Sequence, residues 1–581
     1  MRRSTLLAGL AATAAGAPGP RARAAAGGNA DLIVTARTIH TVDPQMPHAR
    51  AFAVRGARIM YVGDLEGARA WRGNRTRLLD FGEATVLPGL IDAHLHFYGV
   101  GAALHQVPLH HVTSFEEVVR RTVAFAASSP DLWVQGEGWD QNLWPGQAFP
   151  THDALSRALP DRPVVLIRVD GHALLANAAA MRAAGVDATT SAPAGGRILR
   201  DPSGAPTGVF VDAALDLILR AVPAPTVAQL ARAGRAAQAE CHRWGLTSIG
   251  DPGVAQPGLD AYDALRHDGA LTLRVHAMLA GSDEALLARR VPAGPQLLDA
   301  DGRFAVRAIK LYADGALGSR GAALLAPYSD DAANRGLILT PPERLGEVAR
   351  AALRAGFQVC THAIGDRGNR NALDAYAAAL HDVPTRDHRF RVEHAQVLAP
   401  EDIPRFAQLG VLPSMQTTHQ ISDMGWAQER LGPQRVLGAY AWRALLESGV
   451  IIANGTDAPV EVVDSRRTFH AAITRQDEQN LPVGGWYPAQ RMTREEALRS
   501  MTIWAAHAAF MEHEIGSISV GKYADFAVLD RDWMTTPPEE IMATRFLATY
   551  SGGQPVYDAA TTPQTSSFVP RAPRRGGCGC G

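Results

Sequence analysis

The segment Thr85 to Gly101 reads TVLPGLIDAHLHFYGVG. An apolar run, a Pro-Gly turn and a second apolar run lead into two histidines one residue apart. Successive side chains of a strand alternate faces, so His94 and His96 point the same way while Leu95 faces the other side. At the end of a buried strand, two imidazoles on one face reach a single cation. Paired strand histidines are also ordinary polar edge residues, so the rest of the chain has to supply partners.

Working outward, seven later apolar runs end in polar residues: GLTSIGDPG, LRVHAML, VRAIKLYADGALGSRG, FQVCTHAIGDRGN, RFRVEHAQVL, VLPSMQTTHQISD and VIIANGTDAPVE. Enough chain separates them for a helix each, which is the βαβ rhythm of a parallel barrel. Counted in that register, Lys310 ends strand four, His362 strand five, His394 strand six and Asp457 strand eight. Each alone has an ordinary explanation, such as packing for a histidine or a helix cap for the aspartate. All six at one barrel mouth have a shared one. Lys310 cannot ligate as an ammonium, but its neutral amine reacts with carbon dioxide to give a carbamate whose two oxygens bridge cations.

So read, VLPGLIDAHLHF resembles the opening motif of the amidohydrolase superfamily, metal-dependent hydrolases on a (β/α)8 barrel. IKLYADGALGSRGAAL, THAIGDRGN, VEHAQVL and NGTDAPV are similar to the branch that contains N-substituted formamide deformylases, amidohydrolase family 3. The resemblance implies an α/β fold: a TIM-like metal-dependent-hydrolase barrel, a small β-sandwich built from both ends of the chain, and an inserted lid. It implies that His94, His96 and Asp457 hold a buried metal, that His362 and His394 hold an outer one, and that carboxylated Lys310 bridges them. The implied cofactors are one or two divalent ions, Zn2+ by donor chemistry, with carbon dioxide as the Lys310 carbamate. Metal-activated water then attacks an amide-like carbon, and Asp457 is the catalytic proton carrier. One departure stands out. Where the branch has Gln-Pro before a histidine on strand seven, this chain has Gln416, Thr417, Thr418 and His419.

The expected reaction is hydrolysis of a non-peptide C–N bond in a small-molecule substrate, an N-substituted formamide or other N-acyl compound. A heterocycle deaminase or cyclic amidohydrolase is the alternative within enzymes, and a non-catalytic binding or regulatory protein on the same barrel is the alternative outside them. Arg320, in the loop after Lys310, is a candidate for a substrate carboxylate or oxyanion, with a structural ion pair as the competing reading. Asp366 either orients His362 or caps the following helix.

DLIVTARTIHTVD and AFAVRGARIMYVGD near the start, and SISVGKYADFAVLD and FLATYSGGQPVYD near the end, share a short-strand pattern. Residues 29–84 with 514–560 are therefore expected to form the composite sandwich, and 85–513 the barrel. An insertion over about 105–240 carries WVQGEGWDQNLWPGQAFP and PVVLIRVDGH, and leaves the barrel on its catalytic face. Trp139, Trp144, Asp170 and His172 are expected to line the substrate pocket, with His419 beside them; an insertion core of its own is the other reading for the aromatics.

Lys+Arg 57 against Asp+Glu 58 in 581 residues leaves a net charge of −1. That balance argues against a nucleic-acid partner, and no apolar run beyond the first thirty residues is long enough for an integral membrane segment. Arg2 and Arg3 before LLAGLAATAAGA read as a twin-arginine signal peptide over residues 1–26, and so as a periplasmic or secreted enzyme. Cys241 and Cys360 read as buried thiols. Cys578 and Cys580 fall in a flexible Gly-rich tail, 561–581. A homo-oligomer is compatible with the fold, but no interface is legible.

Overall fold

The computed structural model describes residues 28–169 and 171–562. The leader over 1–26, Asp170 and the Cys578/Cys580 pair lie outside the described residues. Eight parallel strands follow one another in chain order around a single sheet. They are β1 (Leu90–Asp92), β2 (Leu246–Val254), β3 (Arg274–Ala280), β4 (Phe304–Tyr312), β5 (Gln358–Ala363), β6 (Arg391–His394), β7 (Leu412–Met415) and β8 (Ala453–Asn454). The ring closes where the Ala93 N–H donates to the Asn454 carbonyl at 3.0 Å. Strands covered on both faces need apolar residues throughout, which is why these runs lack the alternation of a half-exposed sheet.

The helices between strands bury one stripe each. In Pro342–Ala355, Leu345, Val348, Ala349, Ala352 and Leu353 are buried, spaced as one helical face, and Gly356 ends the helix at φ 83. No helix among the described residues is long and apolar enough to cross a membrane.

Both ends of the chain build a second, eight-stranded sheet in which Leu32–His40 pairs with His48–Arg55, Arg77–Asp80 and Thr85–Pro88. Thr85–Pro88 also pairs antiparallel with Phe526–Leu529, and Phe52, Val86, Phe526 and Tyr550 share its core. The first half of the TVLPGLID stretch thus belongs to the terminal sheet, and only Leu90–Asp92 enters the barrel. The Pro-Gly step between them is a point of close approach. A Cβ on Gly89 would lie 2.2 Å from Thr247 Oγ1 on β2.

The insertion is a six-stranded sheet of its own, from Val107–Pro108 to Pro206–Asp212, with cores on both faces. The helix Val227–Arg243, started by a Thr226/Gln229 capping box, returns the chain to the barrel.

Candidate metal centre

The barrel strands deliver the predicted ligands to one end. His94 is 0 % exposed, Lys310 0 %, His362 1 %, and both His394 and Asp457 4 %. His94 Nε2 lies 3.4 Å and His96 Nε2 3.1 Å from Asp457 Oδ1. Lys310 Nζ is 3.3 Å from His94 Nε2. The His394 ring is centred 5.0 Å from that of His94 and 4.6 Å from that of His362. His94, His394 and Asp457 each offer one ligand atom within 4.8 Å of the others.

Two neighbours decide how those imidazoles face. Glu393 Oε2 is 2.5 Å from His94 Nδ1. Burial opposes a charge on Glu393, but Arg391, paired to it through two bonds of 2.7 Å, and His94 hold its carboxyl well below the usual range. A carboxylate only accepts, so His94 Nδ1 carries the proton and Nε2 presents a lone pair. Burial and the nearby Lys310 push the His94 imidazole down to about 4, which keeps it neutral. Gln416 Oε1 accepts from His394 Nδ1 at 2.8 Å in the same way, leaving His394 Nε2 as the free face.

Asp457 Oδ1 is buried, with His96 Nε2 and His94 Nε2 against it. The lone pairs of two neutral imidazoles and this carboxylate oxygen crowd within a few ångströms, an arrangement that a shared cation stabilises. The donor set therefore fits a divalent metal.

The backbone is bent to achieve this. His394 has φ 72 and Asp457 φ 58, both in the left-handed region. The bend at His394 breaks strand alternation, so the consecutive residues Glu393 and His394 both turn toward the centre. Asp92, buried beside them, accepts from the His94 N–H and from the Thr456 N–H and hydroxyl, tying the β1 end to the loop that carries Asp457.

The Amidohydrolase family profile matches residues 77–557. The chain belongs to the amidohydrolase family. A relative in Arabidopsis thaliana, protein LONG AFTER FAR-RED 3, is 34 % identical over 91 % of this chain and 92 % of its own. The N-substituted formamide deformylase of Arthrobacter pascens is 28 % identical over 90 % of this chain and 97 % of its own. An uncharacterized metal-dependent hydrolase from Pyrococcus furiosus superposes with a TM-score of 0.74 at 26 % identity, over 87 % of this chain and 100 % of that one. The superfamily resemblance and the barrel expected from the motifs are borne out.

Around this amidohydrolase centre the other candidates divide. His419 stacks parallel to His394 at 5.8 Å, and its Nε2 is 3.6 Å from Asp457 Oδ2. The Gln-Thr-Thr-His departure therefore still brings its histidine to the site. Trp139 and Trp144 are core residues of the insertion: their rings stack at 5.8 Å, and their indole N–H groups donate to the carbonyls of Leu166 and Val112. The expectation that they line the pocket is corrected, because an indole this buried satisfies its N–H inside its own layer. His172, 43 % exposed, meets Asp212 at 2.8 Å.

Arg320 is also corrected. Its guanidinium is held by Asp330 through bonds of 3.1 and 2.8 Å, and Arg430 contacts the same carboxylate. Asp366 accepts from the Leu325 and Arg367 N–H groups. Among the described residues, Asp314 brings a carboxylate to 3.8 Å from His362 and is fixed by the Ala323, Ile364 and Gly365 N–H groups. Sequence reading missed Glu393, Arg391, Asp314 and Asp92. A signal for the first two was present: Arg391 and Glu393 stand two apart on an apolar strand, so they share a face inside the barrel.

A cleft of about 310 Å3 opens beside His96, between the residues after β1, the end of β2 and Ala224–Pro225. Asp251 lines it, and burial pushes that carboxyl up to about 6.

Proposed function

We propose that this amidohydrolase is a metal-dependent hydrolase that adds water across a non-peptide C–N bond of a small amide-like substrate, an N-substituted formamide or another N-acyl compound. The carrying observation is the convergence of the His94 and His394 Nε2 lone pairs on the buried Asp457 carboxylate at the barrel mouth. The named activity of the formamide deformylase, aligned over 90 % of this chain, supports the bond type.

In this reading His94, His96 and Asp457 hold one ion, and His362 and His394 a second. A bound divalent metal supplies an acidified water and a polarised carbonyl. Asp457 takes the proton of the attacking water on its carboxylate and returns it to the departing nitrogen. Glu393 and Gln416 keep the imidazoles aimed throughout.

Lys310 has a chemical problem to solve. As an ammonium, its Nζ donates to the same His94 lone pair that a metal needs. Attack of the neutral amine on carbon dioxide forms an N–C bond, releases a proton to solvent, and replaces a donor cation with an anion of two acceptor oxygens. We read Lys310 as that carbamate, with zinc as the ion.

Metal per chain, measured on protein purified with bicarbonate and without chelator, tests this reading beside Lys310→Ala. About two ions per chain, falling in the variant, together with hydrolysis in an amide panel, is the expected result. Ammonia release would favour a deaminase. Metal-loaded protein that turns over no amide, lactam or ester would overturn the reading.

From residues 1–26 we also propose export through the twin-arginine route. Lys substitutions at Arg2 and Arg3 should retain the protein in the cytoplasmic fraction.

A further inference from the structure

The end of the barrel away from the metal centre holds a cation without an anion. A cavity of about 300 Å3 opens there, lined by the first residues of β4, the loop before it, and residues from 509–514, with Arg58 and Tyr523. Four arginines around it lie against aromatic rings. Arg58 and Arg274 are each 3.7 Å from the centre of Tyr523, and Arg307 and Arg389 are 3.5 and 4.3 Å from that of Phe510. Three of the four are matched by carboxylates: Arg58 by Glu514, Arg274 by Asp525, and Arg389 by Asp387 and Glu512. Arg307 pairs with no carboxylate among the described residues, and its Nε–H is buried without an acceptor.

The missing charge does not come from inside the barrel. His276 on β3 is in register with Ala305, which lines the cavity, so both side chains face the same way. Burial, Arg391 and Arg307 push the His276 imidazole down to about 3, which keeps it neutral. Both oxygens of Glu393 are taken by Arg391. Asp299, the other acid of the lining, is paired with Arg266 at 3.0 Å. Burial and the nearby Arg389 act against the Arg307 charge, yet a guanidinium keeps its proton.

The cavity therefore has one positive charge in surplus, and Leu297, Leu298, Ala305 and Met511 supply apolar wall. Stacking on Phe510 covers the face of the Arg307 guanidinium and leaves its rim, whose fork matches the two oxygens of a carboxylate. A hydrocarbon tail would exchange water for carbon against the apolar wall, whereas a tailless anion such as phosphate would lose water there with no return.

We propose that the base of the barrel is a second binding site, separate from the metal centre, which takes a small carboxylate with an apolar tail and holds it through Arg307. This site goes beyond the hydrolytic reading and does not depend on it.

Calorimetry on the metal-loaded full-length protein tests it with hexanoate and hexanol, which share a tail length and differ in charge. Hexanoate should bind about 10–100-fold more tightly, the range expected of a charge-assisted pair of hydrogen bonds. Arg307→Gln should abolish that advantage, and Arg307→Lys, which keeps the charge but not the fork, should restore part of it. Leu298→Trp keeps Arg307 and fills the cavity, so it should weaken both ligands; thermal melting checks that each variant folds. Hexanoate affinity unchanged in Arg307→Gln would place its binding at the metal or elsewhere and overturn the proposal. Equal binding of hexanol, or inorganic phosphate binding as tightly as hexanoate, would overturn it too.

Discussion

Glu393 and His94, 299 residues apart in the chain, meet at 2.5 Å inside the barrel with Arg391 closing the far side of the carboxylate. This contact fixes which imidazole nitrogen faces the centre. Glu393→Gln should lower metal affinity by about 10–100-fold, read by competition with a chelator. It also removes the charge that balances buried Arg391, so the urea midpoint should fall. Unchanged metal affinity would show that Glu393 serves stability alone.

Asp457 combines a ligand position with a left-handed backbone, φ 58. Asparagine tolerates that conformation better than other replacements, so Asp457→Asn tests chemistry with little backbone cost. Its kcat should fall by about 10^2–10^4-fold with a smaller change in KM. A rise in KM at constant kcat would assign Asp457 to binding instead.

Below the centre, Arg274 at the start of β3 pairs with Asp525 through bonds of 2.6 and 2.8 Å, joining barrel to terminal sheet. Burial opposes the Asp525 charge, but Arg274, the Gly552 N–H and Arg303 outweigh it and hold the carboxyl below its ordinary value. The folded chain then binds fewer protons than the unfolded one, and this contribution is complete above about pH 5 and lost as pH falls through the folded value. Asp525→Asn should cost about 3–5 kcal/mol near neutrality. The gap from wild type should narrow in urea melts at about pH 3.5. A constant gap across that range would remove Asp525 ionisation from the account.

Trp139 offers a test of core against pocket. Trp139→Phe deletes the bond to the Leu166 carbonyl and leaves a void, so stability should drop by about 1–3 kcal/mol while KM stays near wild type. A raised KM with unchanged melting would return Trp139 to the substrate pocket.

Much of the centre was legible because it is written in local patterns. Strand-end position is a local property of an apolar run, and His94, His96, Lys310, His362, His394 and Asp457 each terminate one. His394 with Gln416, and Asp314 with His362, were not legible as pairs, since each pair joins different strands or loops across the barrel. The aromatic insertion misled for a related reason. Trp139 and Trp144 have the composition of a pocket wall, and composition does not distinguish a ring facing a ligand from one facing its own sheet.

By itself the sequence determined the strand and helix periodicities, and with them a barrel that gathers its strand-end polar residues at one mouth. Only the tertiary structure decided which imidazole nitrogens face inward, that Arg320 is already paired, and that Trp139 and Trp144 pack within the insertion's own layer. The physical reason is range. Backbone periodicity is set by neighbours a few residues apart, whereas tautomer, charge pairing and cavity shape depend on groups that meet only after the chain has closed on itself.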